Sequence, residues 1–292
     1  MTQATIEHHN VQTNGIRLHV AQAGGQDVPL VILLHGFPEF WYGWQAQITF
    51  LAAHGYRVWA PDQRGYNLSD KPAGIDAYGL VTLAQDVIGL IDAAGCEQAY
   101  IVGHDWGAGV AWMTAILHPE RVKKLVILNV PHPVALEETF RSNPKQWLKS
   151  WYIGFFQIPL LPEFLLTFGD GMGAAQLLIL SSNPRTFSDA DFTEYVRAWK
   201  QPGAMTGMIN WYRALVQRRP LALADPRVHR PTLVIWGAQD IALSREMAQM
   251  SVDQCDDGRL VIFENASHWV QHEETHQVNA LLAEFLKEAV KS

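Results

Sequence analysis

The chain has 292 residues, 48% of them hydrophobic and 17% charged, so it can bury a sizeable core and is not expected to be disordered. Its formal net charge of −7 at pH 7 is far from the basic balance that nucleic-acid binding needs, and no run rich in Lys and Arg offsets it. No nucleic-acid partner is therefore expected.

Cysteine usage and the N-terminal residues indicate the compartment. Cys96 and Cys255 are the two cysteines, which gives no disulfide framework and is typical of a reducing compartment. The opening stretch MTQATIEHHN lacks the basic region and apolar run of a secretory signal, and no segment approaches 18 uninterrupted apolar residues. The sequence predicts a cytoplasmic protein without a membrane span.

The first elements in chain order are predicted strands. IEHHNVQTNGIRLHVAQAG alternates apolar and polar residues around Asn14-Gly15, a strong signal for a hairpin turn. Between the later strands, TLAQDVIGLIDAAG has apolar residues at helical spacing, with Thr82 as the predicted N-cap and Gly95 as the stop. Four short apolar runs are typical of strands buried on both faces of a parallel sheet: PLVILLHG, YRVWAPD, QAYIVGHD and KKLVILNV.

The alternation of strand and helix stops after residue 133. Residues 134–225 hold aromatic-rich helical patterns separated by Pro and Gly, namely WLKSWYIGFFQIP, DADFTEYVRAW and GMINWYRALVQ. Strand patterns resume with PTLVIWGAQD and RLVIFENASHW, and QVNALLAEFLKEAV closes the chain as an amphipathic helix. The predicted fold class is α/β, with a mostly parallel, doubly wound sheet formed by residues 1–133 and 226–292 and a helical cap formed by 134–225.

Three candidate catalytic groups lie just past the ends of predicted strands. Asp105 follows AYIVGH, Asp240 follows TLVIWGAQ, and His268 follows RLVIFENAS. Open α/β sheets place their ligand sites at this edge, and the chain order of nucleophile, acid and histidine is one known order of a catalytic triad. A lone Asp after a strand usually caps a helix and a lone His is usually structural. All three in this order predict a triad.

At these residues the sequence resembles the alpha/beta-hydrolase superfamily and, within it, the epoxide hydrolases most closely. The resemblance implies a hydrolase core with an inserted cap, and a cis bond between Phe37 and Pro38. Asn67 and Leu68 depart from a stretch where relatives usually have Gly and a small residue, at a distance from the expected chemistry. The resemblance rests on HGFPEFWYGW (35–44), PDQRGYNLSDKP (61–72), GHDWGA (103–108), GAQD (237–240), SHWVQHE (267–273), and in the cap on Tyr152 and Tyr212.

The chemistry of Asp105 follows from the residue type. Unlike a serine, an aspartate is already an anion at neutral pH, so it can displace a leaving group from saturated carbon and form a covalent ester. His268 would then take the proton of the water that attacks this ester, and Asp240 would orient the imidazole. The backbone N–H groups of Phe37 and Trp106 are the expected oxyanion hole.

Opening an epoxide leaves an alkoxide that needs a proton donor un-ionised at pH 7, and tyrosine meets that requirement. Tyr152 and Tyr212 lie in separate cap patterns from which they would converge over Asp105; the alternative is that both only pack, and Tyr195 is a competing cap tyrosine. The expected substrate pocket comprises His104, Trp106, Phe37 and Pro38.

Residues 272–276 match H-E-x-x-H, a helical zinc signature. A third ligand would have to be Glu284 or Glu288, which the pattern places on the same helix about 12 and 18 Å beyond His276, too far to share one ion. We therefore interpret the motif as an exposed polar helix start. Ring opening by water needs no metal and no cofactor.

Two other functions stay open. Haloalkane dehalogenases share the Asp nucleophile and the following Trp, but resemble one another in holding the halide with side-chain N–H donors, often an Asn where this chain has Phe37. Fluoroacetate-type enzymes place arginines after the nucleophile, where WGAG stands here, so the substrate should be neutral. A small-molecule receptor on the same fold would not need the intact triad. We favour an epoxide hydrolase that makes a vicinal diol, with a homo-oligomer left open.

Overall fold

A computed structural model describes residues 5–217 and 223–287. Its strands are β1 (Glu7–Thr13), β2 (Ile16–Ala23), β3 (Leu30–Leu34), β4 (Arg57–Pro61), β5 (Ala99–His104), β6 (Val122–Leu128), β7 (Thr232–Gly237) and β8 (Gly258–Phe263). They form one sheet in the order β1-β2-β4-β3-β5-β6-β7-β8, antiparallel at β1-β2 and β2-β4 and parallel at every other pair. The predicted α/β fold class is confirmed.

The predicted strands are confirmed, although β6 and β8 each begin one residue before the apolar run quoted for them. Asn14 and Gly15 have φ angles of 44° and 76° and join β1 to β2, as the turn signal predicts. Strands β3, β5 and β7 are buried at every residue, which explains their continuous apolar sequences. Parallel pairing sets the carboxyl ends of β3, β5, β7 and β8 along one edge of the sheet.

The helices are α1 (Gln45–Ala53), α2 (Leu80–Ala93), α3 (Trp106–Leu117), α4 (Pro133–Ser142), α5 (Pro144–Lys149), α6 (Trp151–Phe155), α7 (Leu161–Ser181), α8 (Asp189–Trp199), α9 (Ala204–Gln217), α10 (Glu246–Val252), α11 (Val270–Glu273) and α12 (Thr275–Leu286). Helices α4 to α9 lie between β6 and β7, and we call them the cap. The predicted boundaries 134–225 stay a prediction, and residues 218–222 lie outside the described part of the chain.

One local prediction about a helix end is wrong. Helix α2 begins at Leu80 after an extended Gly79, so Thr82 lies inside the helix, because the first two helical residues precede the apolar periodicity. Gly95, with a φ of 72°, does end it. The pattern WLKSWYIGFFQIP divides into α5 and α6 at Ser150, whose dihedrals (−92°, 15°) leave the helical range.

Helix α7 is not among the elements that the sequence patterns predict. It contains a break at Phe168–Gly171, where Gly169, Asp170 and Gly171 have positive φ angles, and this Gly-rich break interrupts the helical periodicity. Within the described residues, α7 is the one helix whose length and composition would suffice to cross a membrane, which alone is weak evidence for a span.

Candidate active site

Asp105 occupies a sharp turn between β5 and α3. Its φ of 49° and ψ of −127° are strained for a non-glycine residue, a feature typical of a nucleophile presented between a strand and a helix. A β-carbon on Gly36 would overlap the Asp105 side chain, and one on Gly107 would overlap the Leu34 carbonyl. The turn can therefore approach the loop after β3 only because these two positions are glycine.

The loop after β3 faces the Asp105 carboxylate. The Phe37 amide donates a hydrogen bond to Asp105 Oδ1 at 2.6 Å. The bond between Phe37 and Pro38 is cis, as the family resemblance implies. Trp106 is the first residue of α3, where amide groups have no partner within the helix. The two amides expected to form an oxyanion hole thus belong to adjoining segments beside the carboxylate.

His268 lies between two carboxylates. Its Nδ1 is 2.6 Å from Asp240 Oδ2, and its Nε2 is 3.4 Å from Asp105 Oδ2. Asp240 is fixed by the Asn129 side-chain amide at 2.9 Å and by backbone amides of the turn after it. The three predicted triad residues are therefore in one cluster, and Asn129, at the end of β6, is a supporting residue that the sequence patterns did not identify.

These carboxylates control the protonation of His268. Burial alone would lower its pKa, but Asp240 and Asp105 outweigh burial and raise the pKa to about 10. Burial would raise the pKa of Asp240, but the charge of His268 and hydrogen bonds from His268 and Asn129 lower it. His268 is therefore an imidazolium at neutral pH.

The cap brings Tyr152 on α6 and Tyr212 on α9 together, with ring centroids 5.9 Å apart. The Tyr212 ring packs edge-on against Trp106 at 5.0 Å and Phe37 at 5.4 Å, directly beside Asp105. Burial raises the pKa of both tyrosines, and the negative charge of Asp105 raises each further. Both hydroxyls therefore stay protonated at neutral pH.

Tyr195 has a different position. It is fully buried on α8, and its hydroxyl donates to Glu39 Oε1 at 2.6 Å. Its ring stacks on Trp199, whose indole N–H donates to the Pro38 carbonyl at 2.6 Å. Tyr195 thus connects the cap to the loop that carries Phe37. It does not face Asp105, whereas Tyr212 does.

His104 and Glu39 form a polar layer beside the triad. His104 Nε2 donates to the His268 carbonyl at 2.8 Å, and its Nδ1 lies 3.5 Å from Glu39 Oε2. Burial would raise the pKa of Glu39, but His272, with Nε2 at 2.7 Å, and His104 lower it far below its ordinary value. Glu39 is therefore a buried carboxylate, and His104 supports the backbone of His268.

The prediction that the H-E-x-x-H residues are an exposed helix start is wrong for His272 and Glu273, although α12 begins within the motif and His276 is exposed. His272 and Glu273 are partly buried, because His272 contacts Glu39 and the Glu273 carboxylate accepts hydrogen bonds from Ser267 and from the cap. Helix α11 ends at Glu273 and α12 begins at Thr275, so the motif does not lie on one helix. Among the described residues no group of three or more His, Cys, Asp or Glu is arranged for a metal.

Of the two residues considered and rejected as a third metal ligand, one lies in the described part of the chain. Glu284 pairs with Arg259 at 2.6 Å on the outer surface. Glu288 lies outside the described residues. Glu39 and Glu273 are both contained in the stretches that carry the family resemblance, HGFPEFWYGW and SHWVQHE, but nothing in their spacing shows what they bind.

Comparisons with known proteins extend over the sheet and the cap. The alpha/beta hydrolase fold family matches residues 29–275. The AB hydrolase superfamily protein YfhM of Bacillus subtilis is 50% identical over 279 residues, which are 95% of this chain and 96% of that protein. Epoxide hydrolase 4 of Mus musculus is 37% identical over 287 residues, 96% of this chain and 79% of that protein.

A solved structure gives the same architecture. It is that of a mutant of an epoxide hydrolase from Bacillus megaterium, complexed with its product, a naphthyloxy-propane-1,2-diol. The TM-score is 0.88 at 29% sequence identity, over 96% of this chain and 100% of that one.

Proposed function

As a member of the alpha/beta-hydrolase family, and within it of the epoxide hydrolases, the chain is an enzyme, and we propose that it adds water to a small neutral epoxide to give a vicinal diol. One observation carries this proposal: two protonated cap tyrosines, Tyr152 and Tyr212, lie together beside the carboxylate of Asp105. This arrangement pairs a nucleophile for carbon with proton donors for the departing oxygen.

In the first step, Asp105 attacks an epoxide carbon. The Phe37 amide holds Oδ1, which leaves Oδ2 as the attacking oxygen. A bond forms between Oδ2 and carbon as the ring C–O bond breaks, and the epoxide oxygen takes a proton from Tyr152 or Tyr212. Such general-acid help contributes about 10²- to 10⁴-fold to the rate.

The ester then changes the charge around His268. Asp105 is neutral once it is esterified, so one of the two anions that raise the pKa of His268 is gone and the pKa falls. The imidazolium can then release its proton to solvent, and solvent returns a proton to the tyrosine that was deprotonated in ring opening. Neutral His268 is the form needed as a general base.

In the second step, water attacks the carboxyl carbon of Asp105 while His268 takes its proton and Asp240 stabilises the imidazolium. The oxyanion forms on Oδ1, where the Phe37 amide already donates and the Trp106 amide can join it. One such donor is worth about 3 kcal/mol in the transition state. Collapse of this intermediate breaks the bond between the carboxyl carbon and the substrate oxygen. The departing alkoxide takes the remaining proton of the hydroxyl that water supplied, which releases the diol and regenerates the Asp105 carboxylate.

The side chains around Asp105 favour an apolar, uncharged substrate. Phe156 packs against Tyr212 at 4.7 Å and against Phe37 at 5.5 Å, and Trp106 packs against Trp211 at 5.6 Å. Phe37 has no side-chain N–H to hold a halide. An epoxide with an aryl or alkyl substituent fits these walls better than an ionised substrate.

Product analysis tests the proposal. The wild-type protein is incubated with a panel of aryl and alkyl epoxides and, separately, with haloalkanes, and diol and halide are measured. We expect diol from epoxides and no halide, with both products absent for Asp105→Ala. Halide release without diol would identify a dehalogenase, and saturable binding without turnover would identify a receptor.

A further inference from the structure

Helix α5 buries a polar residue and exposes its apolar neighbours. Gln146 is fully buried, whereas Trp147 and Leu148, the next two residues, are 63% and 76% exposed. A helix at the surface of a domain normally has the reverse arrangement, with its apolar side chains inward. Taking an amide out of water costs free energy unless its polar atoms find partners. The partners of Gln146 therefore explain why it is buried.

The Gln146 side chain binds the turn that follows Asp240, residues 240–244, which we call the acid loop. Its Oε1 accepts from the Ser244 hydroxyl at 2.8 Å and from the Ser244 backbone amide at 3.2 Å. Its Nε2 donates to the Ala242 carbonyl at 2.7 Å. The backbone amide of Ala242 in turn donates to Asp240 Oδ1 at 2.8 Å. Gln146 therefore holds, from the cap, the loop whose backbone fixes the acid of the triad.

The same amide group reaches the start of the helix that carries Tyr152. Gln146 Nε2 also donates to the Ser150 hydroxyl at 2.8 Å. Ser150 is buried at the junction of α5 and α6, and its carbonyl accepts from the Ile153 backbone amide at 3.0 Å. Tyr152 is the second residue of α6. One side chain thus connects the helix of the proton donor to the acid loop.

The hydrogen bonds of Gln146 leave no polar atom of its amide unused. Both hydrogens of Nε2 are donated, and both lone pairs of Oε1 accept. A buried network that is fully satisfied specifies one arrangement, because any shift leaves a buried polar atom without a partner. An apolar side chain at this position could fill the same space but would not select that arrangement.

We propose that Gln146 is a positioning residue for both chemical steps, because it sets the acid loop that orients His268 and the start of the helix that carries Tyr152. Its polar atoms are all engaged, so it acts through these two elements and not on the substrate. This role rests on the proposed function, in which Asp240 and Tyr152 take part. The cap is then part of the catalytic framework, since the acid loop has all its partners only when α5 is docked.

The substitution Gln146→Met tests this role, because it nearly preserves the volume of the side chain and removes its hydrogen bonds. We expect rapid mixing with an aryl epoxide to show both ester formation and ester hydrolysis slowed by about 10- to 10²-fold, as displacements of about 1 Å can do. NMR titration of the His268 ring should show a lower midpoint, because the charge of Asp240 is held less closely to it.

Two further variants complete the test. Ser244→Ala keeps the backbone contact to Gln146 and carries little risk to folding, so it should shift the rates and the midpoint in the same direction by smaller amounts. Gln201→Met makes the same change elsewhere in the cap, where the Gln201 side chain donates to the Arg197 carbonyl at 3.4 Å in an exposed position. It is the matched control and should change neither measurement.

Urea unfolding and near-UV circular dichroism show whether each variant is folded. A folded Gln146→Met that keeps the wild-type rates and midpoint would overturn the role, even if its free energy of unfolding falls, because Gln146 would then be only structural. If Gln146→Met does not fold, unchanged rates and midpoint in Ser244→Ala would overturn it. The titration needs no substrate. A wild type that forms no diol would contradict the proposed function, while the His268 midpoint would still decide whether Gln146 positions Asp240.

Discussion

Glu273 joins the loop of His268 to the cap through Asn183. Its carboxylate accepts hydrogen bonds from the Asn183 backbone amide at 2.8 Å and from the Asn183 side-chain amide at 2.9 Å. The same carboxylate accepts from the amide and the hydroxyl of Ser267, both at 2.6 Å. One side chain therefore sets the residue before His268 against the segment between α7 and α8.

The substitution Glu273→Gln should weaken this connection. It replaces one accepting oxygen with an NH₂ group that faces donors. A buried donor left without a partner costs about 1–3 kcal/mol, and because these contacts are only part-buried the cost should lie near the lower end of that range. We expect the free energy of unfolding in urea to fall by this amount and turnover to fall with it. Glu274→Gln, one residue away, is the matched control and should change neither. Equal stability of the two variants would show that the Glu273 contacts contribute nothing.

The cap tyrosines should act as a pair in ring opening. Tyr152→Phe or Tyr212→Phe alone leaves one donor, so each should slow formation of the Asp105 ester moderately, whereas the double variant should lose about 10²- to 10⁴-fold. Rapid-mixing measurement of the first turnover checks this. Tyr195→Phe is the control, because it removes a tyrosine hydroxyl that donates to Glu39 and does not face Asp105. Its rate of ester formation should be higher than that of the double variant. Wild-type turnover in the double variant would show that neither tyrosine is a proton donor and that both only pack.

Asp240→Asn should lower the pKa of His268. The charge of Asp240 is the largest influence raising that pKa, since burial acts in the opposite direction. Titration of the His268 ring by NMR should therefore show a lower midpoint in Asp240→Asn than in the wild type. Ester hydrolysis should slow more than ester formation, because the imidazolium formed in the second step loses its partner. An unchanged midpoint would contradict the electrostatic account of His268.

The stability of the protein should depend on pH through His268. Its pKa of about 10 in the folded protein lies above the ordinary 6.5, so the folded state binds the proton more tightly than the unfolded state. The stability that this proton adds to the folded state is fully present below pH 6.5 and is lost as pH rises through 10. The difference in unfolding free energy between wild type and His268→Gln should therefore shrink over that window. A constant difference would mean that His268 is not protonated at neutral pH.

The strand ends and the order of Asp105, Asp240 and His268 could be predicted because buried parallel strands have continuous apolar sequences and end at one edge of the sheet. The start of α2 does not fall at Thr82, since local cap signals are weaker than packing. The partner of Glu273 could not be predicted, because Asn183 is 90 positions away and meets it only through the docking of the cap. The meeting of Tyr152 and Tyr212 likewise depends on how short helices pack.

The covalent ester on Asp105 is the central claim, and mass spectrometry of the His268→Gln variant after exposure to an epoxide tests it most directly. Ring opening does not need His268 as a base, whereas ester hydrolysis does. The variant should gain the mass of one epoxide molecule on the peptide that contains Asp105, and His268→Gln combined with Asp105→Asn should gain none. A variant that gains no mass yet forms diol at the wild-type rate, or that carries the adduct on another residue, would contradict the account.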